Sequence, residues 1–127
     1  MCKLRTENGQ SMVEFGLILP LLILILAGMV DLGGGIRDYI VTTNAVQVGA
    51  RYGSFNPSDS AGIQARIQNS ASGTSMTITS VTVSYPNGNA SGNPIMVQVT
   101  YQVSTILGSI LGISGITLHS AVQDVIF

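Results

Sequence analysis

A run of sixteen residues without a charge, from Phe15 to Val30, constrains this chain more than any other feature. It reads FGLILPLLILILAGMV and is bounded by Glu14 and Asp31. As a helix the run spans about 24 Å, slightly less than the roughly 30 Å hydrocarbon core of a bilayer. Residues on either side extend it enough to cross, which places Glu14 in or near the membrane. The sequence therefore predicts one membrane-spanning segment at 15–30.

Basic residues precede this run, as they do in a cleavable secretory signal. Lys3 and Arg5 supply the basic start. Three details weigh against an ordinary signal: an acidic residue directly precedes the apolar run, no A-x-A site follows it, and a helical pattern continues beyond it. The bias toward positive charge on the inner side predicts a cytoplasmic N-terminus, with the residues after the span outside.

The composition excludes several classes of function. The chain has 127 residues, enough for one small domain. Only 9% of its residues are charged, against about 25% in ordinary soluble domains, so much of its surface must face something other than water. The net charge is −1 with no basic stripe, which argues against nucleic acid as a partner. The single cysteine, Cys2, excludes an internal disulfide and a cysteine-cluster metal site.

A short charged leader ends at Gly9, and Glu14 follows at the edge of the apolar helix. The segment GQSMVEF resembles the processing site of type IV prepilins and pseudopilins. The longer segments GQSMVEFGLILPLLILILAGMVDLG and NAVQVGARYG resemble the TadE-like branch, which belongs to the tight-adherence (Tad, Flp-type) pilus system. The resemblance covers nearly the whole chain, strongly at 9–33 and weakly through the middle.

This resemblance implies that residues 1–9 are a prepilin leader, which a membrane aspartyl peptidase removes between Gly9 and Gln10. Cleavage would leave a new amine on Gln10, one helical turn from Glu14. The family implies that Glu14 meets the amine of a neighbouring subunit, with Glu14 and Phe15 as assembly residues. A carboxylate at the membrane needs such a partner. The alternative, that Glu14 only caps the first turn of the helix, stays open.

Two groups of residues interrupt the regularity of the long helix. Pro20 lacks an N–H and clashes with the carbonyl of Gly16, so a kink or a locally unwound stretch is expected between them. A tolerated membrane-helix proline is the alternative. The run Gly33, Gly34 and Gly35 has poor helix propensity and is either a hinge or a close-packing surface for neighbouring helices.

The remaining patterns predict an α+β fold similar to that of type IV pilins. The long helix is expected at 10–53, with Ile36, Ile40, Ala45, Val48 and Tyr52 among its apolar face. A small outer domain, 54–127, follows. It is expected to hold a short helix from Ser58 or Asp59 to Asn69, strands at 76–85, 95–103 and 116–126, and an apolar connector at 105–115 that forms a short helix. The first strand has a phase slip at Ser80 that indicates a bulge. A three-stranded antiparallel sheet packed on the outer half of the long helix buries these faces.

The chain offers no constellation for catalysis. His119 is the only histidine and lies on the outer face of the last strand, without companion ligands. The scattered acidic residues form no recognisable acid–base pair. We therefore expect no enzymatic activity and no catalytic, cofactor-binding or metal-binding residues.

The function that this resemblance implies is structural. It implies a subunit that is inserted in the inner membrane, cleaved after Gly9 and polymerised through its N-terminal helix into an extracellular Tad-like type IV pilus that mediates attachment to surfaces. Its expected partners are copies of itself or related pilins, the prepilin peptidase, the pilus assembly platform and, before assembly, the membrane. Two alternatives remain: a minor pseudopilin that primes assembly, and a permanently anchored single-pass protein with an outer binding domain.

Overall fold

One helix of 49 residues, α1 (Glu7–Phe55), dominates the architecture. The computed structural model describes residues 7–113 and 115–127, so most of the expected leader lies outside the described residues. At 1.5 Å per residue, α1 is about 73 Å long. Its first half lies clear of the rest of the chain, and its second half carries the outer domain.

The C-terminal end of α1 lies two residues beyond the expected end at Gly53. Gly53 lies within the helix, where the absence of a side chain lets neighbouring elements pack against the helix backbone. A Cβ there would lie 2.6 Å from Cδ1 of Ile95 and 2.9 Å from Cδ1 of Ile63. The helix ends at Phe55 because Pro57 disfavours helical backbone in the residue before it.

The second helix, α2 (Ser60–Ser70), begins where the sequence predicts. Asp59 is its N-cap, and the carboxylate accepts a hydrogen bond from the Gly62 N–H at 2.9 Å. The Tyr52 hydroxyl donates to the same carboxylate at 2.8 Å. The cap therefore also ties α2 to the last turns of α1.

Three strands form an antiparallel sheet in the order β1-β2-β3. They are β1 (Thr77–Ser84), β2 (Pro94–Val103) and β3 (Ile116–Val125). The register of β1 on β2 shifts between Ile78 and Ser80, which confirms the expected bulge. The α+β fold, a long helix on a small antiparallel sheet, is confirmed.

The core lies between the second half of α1, α2 and the inner face of β2. Its fully buried apolar residues are Ala45, Val46, Ala50, Ile63, Ile67, Ile95, Val97, Val99 and Tyr101. The Tyr101 hydroxyl is buried with no hydrogen-bond partner among the described residues, and burial raises its pKa.

The apolar face expected on α1 is only partly correct. Ala45 is buried, but Ile36, Ile40 and Val48 are exposed. The buried stripe of α1 instead consists mainly of small or polar residues: Asp38, Thr42, Ala45, Val46, Gly49, Ala50, Gly53 and Ser54. Small residues occupy this face because they let α2 and the sheet approach the helix backbone. A Cβ on Gly49, for example, would lie 2.5 Å from Cγ1 of Ile67.

The expected short helix in the apolar connector is present as α3 (Ile106–Leu111). Thr105 is its N-cap, and the Thr105 hydroxyl accepts a hydrogen bond from the Gly108 N–H at 3.0 Å. Gly112 closes the helix with φ of 74°, a left-handed conformation that glycine adopts without strain. The connector thus leads from the end of β2 into β3 through one compact turn of helix.

The Asp59 cap generates a pH-dependent prediction. The pKa of Asp59 lies below its ordinary value. The main cause is the hydrogen bond from the Gly62 N–H, and the hydrogen bond from the Tyr52 hydroxyl adds to it. The stabilisation is therefore present above the unfolded-state pKa and is lost as the pH falls through the folded-state pKa. We expect Asp59→Ala to lower the thermal unfolding midpoint at neutral pH, with a difference from wild type that shrinks in acid.

The measurement is circular dichroism melting of the full chain in detergent micelles over a pH series. Tyr52→Phe is the matched control, because it removes one of the two hydrogen bonds and should give a smaller decrease. A wild-type to Asp59→Ala difference that does not change with pH would contradict the assignment of the cap.

Candidate membrane and assembly surface

Residues 15–30 of α1 form an apolar cylinder that the rest of the chain leaves largely uncovered. α1 is the one helix in the described part of the chain that is long and apolar enough to cross a membrane. Phe15 is 64% exposed and Leu17 is 74% exposed, and every large apolar side chain from Met12 to Leu26 is exposed. Soluble monomers rarely expose an apolar patch larger than a few hundred Å². This surface must therefore be covered by lipid or by other protein.

Glu14 lies at the N-terminal end of this cylinder and is exposed. Its Oε1 accepts a hydrogen bond from the Gln10 side-chain amide, one turn earlier, at 3.3 Å. The structure thus brings Gln10 and Glu14 together on one face of α1. A neutral, exposed amide does not neutralise the carboxylate, so this contact leaves the charge of Glu14 in place.

Gly16 and Pro20 lie within uninterrupted helix. The chain is helical on both sides of Pro20 and between the two residues, and the expected local unwinding stays a prediction. A Cβ on Gly16 would meet nothing within 4 Å. The missing side chain therefore leaves a notch on the outside of the cylinder, and the expected kink stays a prediction.

Gly33, Gly34 and Gly35 are also helical, and a Cβ on any of them would meet nothing within 4 Å. Their small size is thus not required by packing within the chain, in contrast to Gly49 and Gly53. This observation removes internal packing as the explanation of the glycine run. It leaves the two expected roles, a hinge and a contact surface for another helix.

The Asp31 carboxylate makes a contact that the sequence analysis missed. Its Oδ1 accepts a hydrogen bond from the Ile106 N–H at 2.7 Å, and its Oδ2 accepts one from the Leu107 N–H at 2.8 Å. One carboxylate of α1 therefore binds the first two amides of α3. Beside it, Leu107 packs over Gly28, where a Cβ would lie 3.6 Å from Cδ1 of Leu107.

Only a weak sequence signal pointed to this contact. Thr105 followed by ILGSIL indicates a capped helix, and an isolated Asp after an apolar run needs a partner. Nothing in the spacing of residues 75 positions apart connects the two. The contact depends on the path of the sheet, which returns the chain to the helix at Asp31.

Further polar contacts fasten α1 to the start of the sheet. The Arg37 guanidinium donates to the Gly73 carbonyl at 3.2 Å, and the Ser75 hydroxyl donates to the buried Asp38 carboxylate at 3.1 Å. At the far end, the Ser54 hydroxyl lies 3.3 Å from Oδ2 of Asp124 in β3. These contacts fix the sheet along the helix axis.

Two of the open depressions in the described part of the chain flank the helix beside the sheet. One, of about 330 Å³, includes Asp31, Asp38, Ser75, Ser104 and Ser109 in its lining. Its two carboxylates already accept hydrogen bonds from the amides of α3 and from Ser75.

No group of three or more potential metal ligands occurs among the described residues. His119 is exposed, with Nδ1 3.0 Å from the Thr100 hydroxyl.

The other depression is an apolar groove of about 470 Å³ between α1 and β3. Leu32, Ile36 and Tyr39 form its helix side, and Ile116 and Leu118 form its strand side. The groove extends the apolar surface of the cylinder onto the outer domain.

Comparison with known proteins bears on the helix that carries these features. Residues 9–51 match the family model of TadE-like proteins. Neither a curated protein nor a solved structure matches the chain. The matched segment begins at Gly9 and contains Glu14, the uncovered apolar run, the glycine run and Asp31. Over residues 9–51, which form most of α1, the chain is therefore similar to TadE-like proteins.

Proposed function

We propose that this protein is a structural pilin-like subunit that is inserted in the inner membrane, cleaved after Gly9 and polymerised through α1 into an extracellular Tad-like pilus for surface attachment. The observation that carries the proposal is the apolar cylinder 15–30, which the chain itself leaves uncovered. The match of residues 9–51 to TadE-like proteins supports it. The prepilin peptidase and a membrane assembly platform are the partners that such a route requires.

The cylinder limits where the subunit can exist. Twelve of the sixteen residues at 15–30 are Phe, Leu, Ile, Met or Val. Burying each such side chain stabilises by about 1.5–3 kcal/mol, so exposing them all to water costs roughly 20 kcal/mol or more. That exceeds the 5–15 kcal/mol by which a typical domain is stable. The subunit must pass directly from lipid to a helix bundle without a free state in water.

Glu14 favours the transfer of the subunit from lipid to the helix bundle. In lipid its carboxylate is costly unless a cation is near. Cleavage between Gly9 and Gln10 creates a positive amine at the start of the helix. The amine of one subunit and the Glu14 carboxylate of the next satisfy each other only when the two helices pack with a defined offset. Assembly thus removes two unpaired charges at once.

The position of the cleavage junction is compatible with access by a peptidase. Gly9 and Gln10 lie in the first turn of α1, where the initial N–H groups lack helical partners. Helix ends open at low free-energy cost, and glycine favours the open state by about 1 kcal/mol relative to alanine. The junction can therefore extend into a peptidase site without unfolding the domain.

The first experiment is to determine the mass and N-terminal sequence of protein sheared from the surface of expressing cells. A chain that begins at Gln10 is the expected result. An intact N-terminus found only in the membrane fraction would overturn processing and polymerisation and favour the permanently anchored alternative. Processed protein in trace amounts relative to another filament subunit would favour a minor pseudopilin.

Replacing the carboxylate tests the proposed role of Glu14. Removing one partner of a buried ion pair costs about 3–5 kcal/mol, so Glu14→Gln and Glu14→Ala should reduce surface filaments by about tenfold or more. Membrane insertion should be unchanged. Filaments are counted by electron microscopy, and insertion is measured by membrane fractionation.

Gln10→Ala is the matched control for Glu14. It removes the hydrogen bond between the two side chains but keeps the amine that cleavage creates. We expect normal filaments from this variant. Normal filaments from Glu14→Gln, or equal defects in both variants, would contradict an intermolecular role for the carboxylate.

The glycine run generates a second comparison. Alanine at Gly33, Gly34 and Gly35 meets no atom of the chain and should raise helix propensity by about 1 kcal/mol per position. The folded domain should therefore be at least as stable, while filament packing or bending changes. Gly49→Ala is the control, because its Cβ overlaps Ile67 and should destabilise the domain by about 1–3 kcal/mol.

The two readouts are thermal melting of the subunit in detergent and the curvature and diameter of filaments in electron micrographs. Unchanged filaments from the triple-alanine variant would show that the glycines serve neither as a hinge nor as a contact surface.

A further inference from the structure

The short helix α3 displays large apolar side chains that the chain leaves uncovered. Ile110 is 64% exposed, Leu111 is 70% exposed and Ile113, just after the helix, is 56% exposed. Ile106 is also about half exposed. Residues 67–123 contain no Asp, Glu, Lys or Arg, so no charge lies near these side chains in sequence. A cluster of exposed apolar side chains of this kind is typical of a surface that contacts a membrane or another protein.

The position of α3 along α1 sets its depth. With Glu14 at the inner boundary, a hydrocarbon core of roughly 30 Å takes up about 20 residues of helix and ends near Gly34. A tilt of about 20° adds only one residue more. Gly28 and Asp31, which contact α3, therefore lie some 5 to 9 Å inside the outer boundary. The contacts with α1 place α3 in the outer leaflet.

The hydrogen bonding of the N–H groups of α3 suits this location. In lipid, every backbone polar group must find a partner within the protein. The first three N–H groups of α3 bind the Asp31 carboxylate and the Thr105 hydroxyl, and the Ser109 N–H binds the Thr105 carbonyl. The Ile113 N–H binds the Gly108 carbonyl at 2.8 Å. A helix start without a free amide can enter an apolar medium.

The contact also addresses the charge of Asp31 itself. A carboxylate below the membrane boundary is costly unless it is hydrogen-bonded, and here each oxygen accepts one amide N–H. The positive end of the helix dipole of α3 adds to this stabilisation. The same contact thus satisfies the acid and the amides.

We propose that, before assembly, α3 is embedded in the outer leaflet of the membrane as a second lipid contact beside α1, with Ile110, Leu111 and Ile113 among the acyl chains. The proposal rests on the membrane-spanning placement of α1 in the proposed function. Lipid is favoured over a neighbouring subunit because the exposed face of α3 is continuous with the cylinder that spans the membrane, at the same depth. The outer domain is then held against the bilayer by two elements.

The chain contains no tryptophan, so a single introduced tryptophan reports its own environment. The full chain is reconstituted in phosphatidylcholine vesicles, and tryptophan fluorescence is compared between ordinary lipid and lipid brominated on its acyl chains. The test variant is Leu111→Trp, whose exposed position tolerates the larger ring. Leu24→Trp, within the membrane-spanning segment, is the positive control. Phe127→Trp, which is 74% exposed beside the far end of α1, is the negative control.

We expect Leu111→Trp to lose at least half of its emission in brominated lipid, most strongly with bromine near the carboxyl end of the acyl chain. Leu24→Trp should respond most to deeper bromine, and Phe127→Trp should not respond.

If Leu111→Trp behaves like Phe127→Trp while Leu24→Trp is quenched, α3 lies outside the membrane and the inference is wrong, although α1 still spans. If Leu24→Trp is not quenched either, the membrane placement of α1 fails and both proposals fall. Blue-shifted but unquenched emission from Leu111→Trp would show that protein, not lipid, covers α3.

Discussion

The two hydrogen bonds from the amides of α3 to the Asp31 carboxylate connect the two parts of this molecule that have opposite solvent requirements. Below Asp31, α1 is an apolar cylinder; above it, α2 and the sheet cover one face of the helix. The carboxylate lies where one environment gives way to the other. Without partners it would be an unpaired charge at the membrane, and α3 would carry two free amides at its start. The contact resolves both and fixes how far along the helix the outer domain sits.

Close approach on small residues secures the rest of the domain. Gly49 and Gly53 let isoleucines from α2 and β2 reach the helix backbone, while Ile36, Ile40 and Val48 point away from the core. Many of the large apolar residues of α1 therefore lie on surfaces that the chain's own fold does not cover. That arrangement suits the proposed subunit, which lipid covers first and other subunits cover later, since the groove between α1 and β3 extends the apolar surface onto the domain.

Much of the architecture was predictable because it rests on local signals. The apolar run, the alternation in β2, the slip at Ser80 and the cap at Asp59 each depend on a few neighbouring residues, and each has the predicted structure. The buried face of α1 was only partly predictable. Hydrophobic periodicity favours large side chains, whereas this interface is built from small ones. The Asp31 contact was also not predictable, because it joins residues 75 apart through the path of the whole sheet. The roles of Glu14, Pro20 and the glycine run depend on other subunits, so a single chain leaves them as proposals.

In the proposed function, the same geometry requires that extraction of a subunit be coupled to its assembly. Leaving the membrane uncovers the cylinder and, in our proposal, the tip of α3 as well. The apolar area involved outweighs the stability of a small domain, so both surfaces need new cover as they emerge. Helices of neighbouring subunits can cover the cylinder, and the notches at Gly16 and at Gly33 to Gly35 allow close backbone approach where they do so. Since α3 is bound to α1 through Asp31 and Gly28, it moves with the helix. A packing that covers one of these surfaces must therefore also accommodate the other.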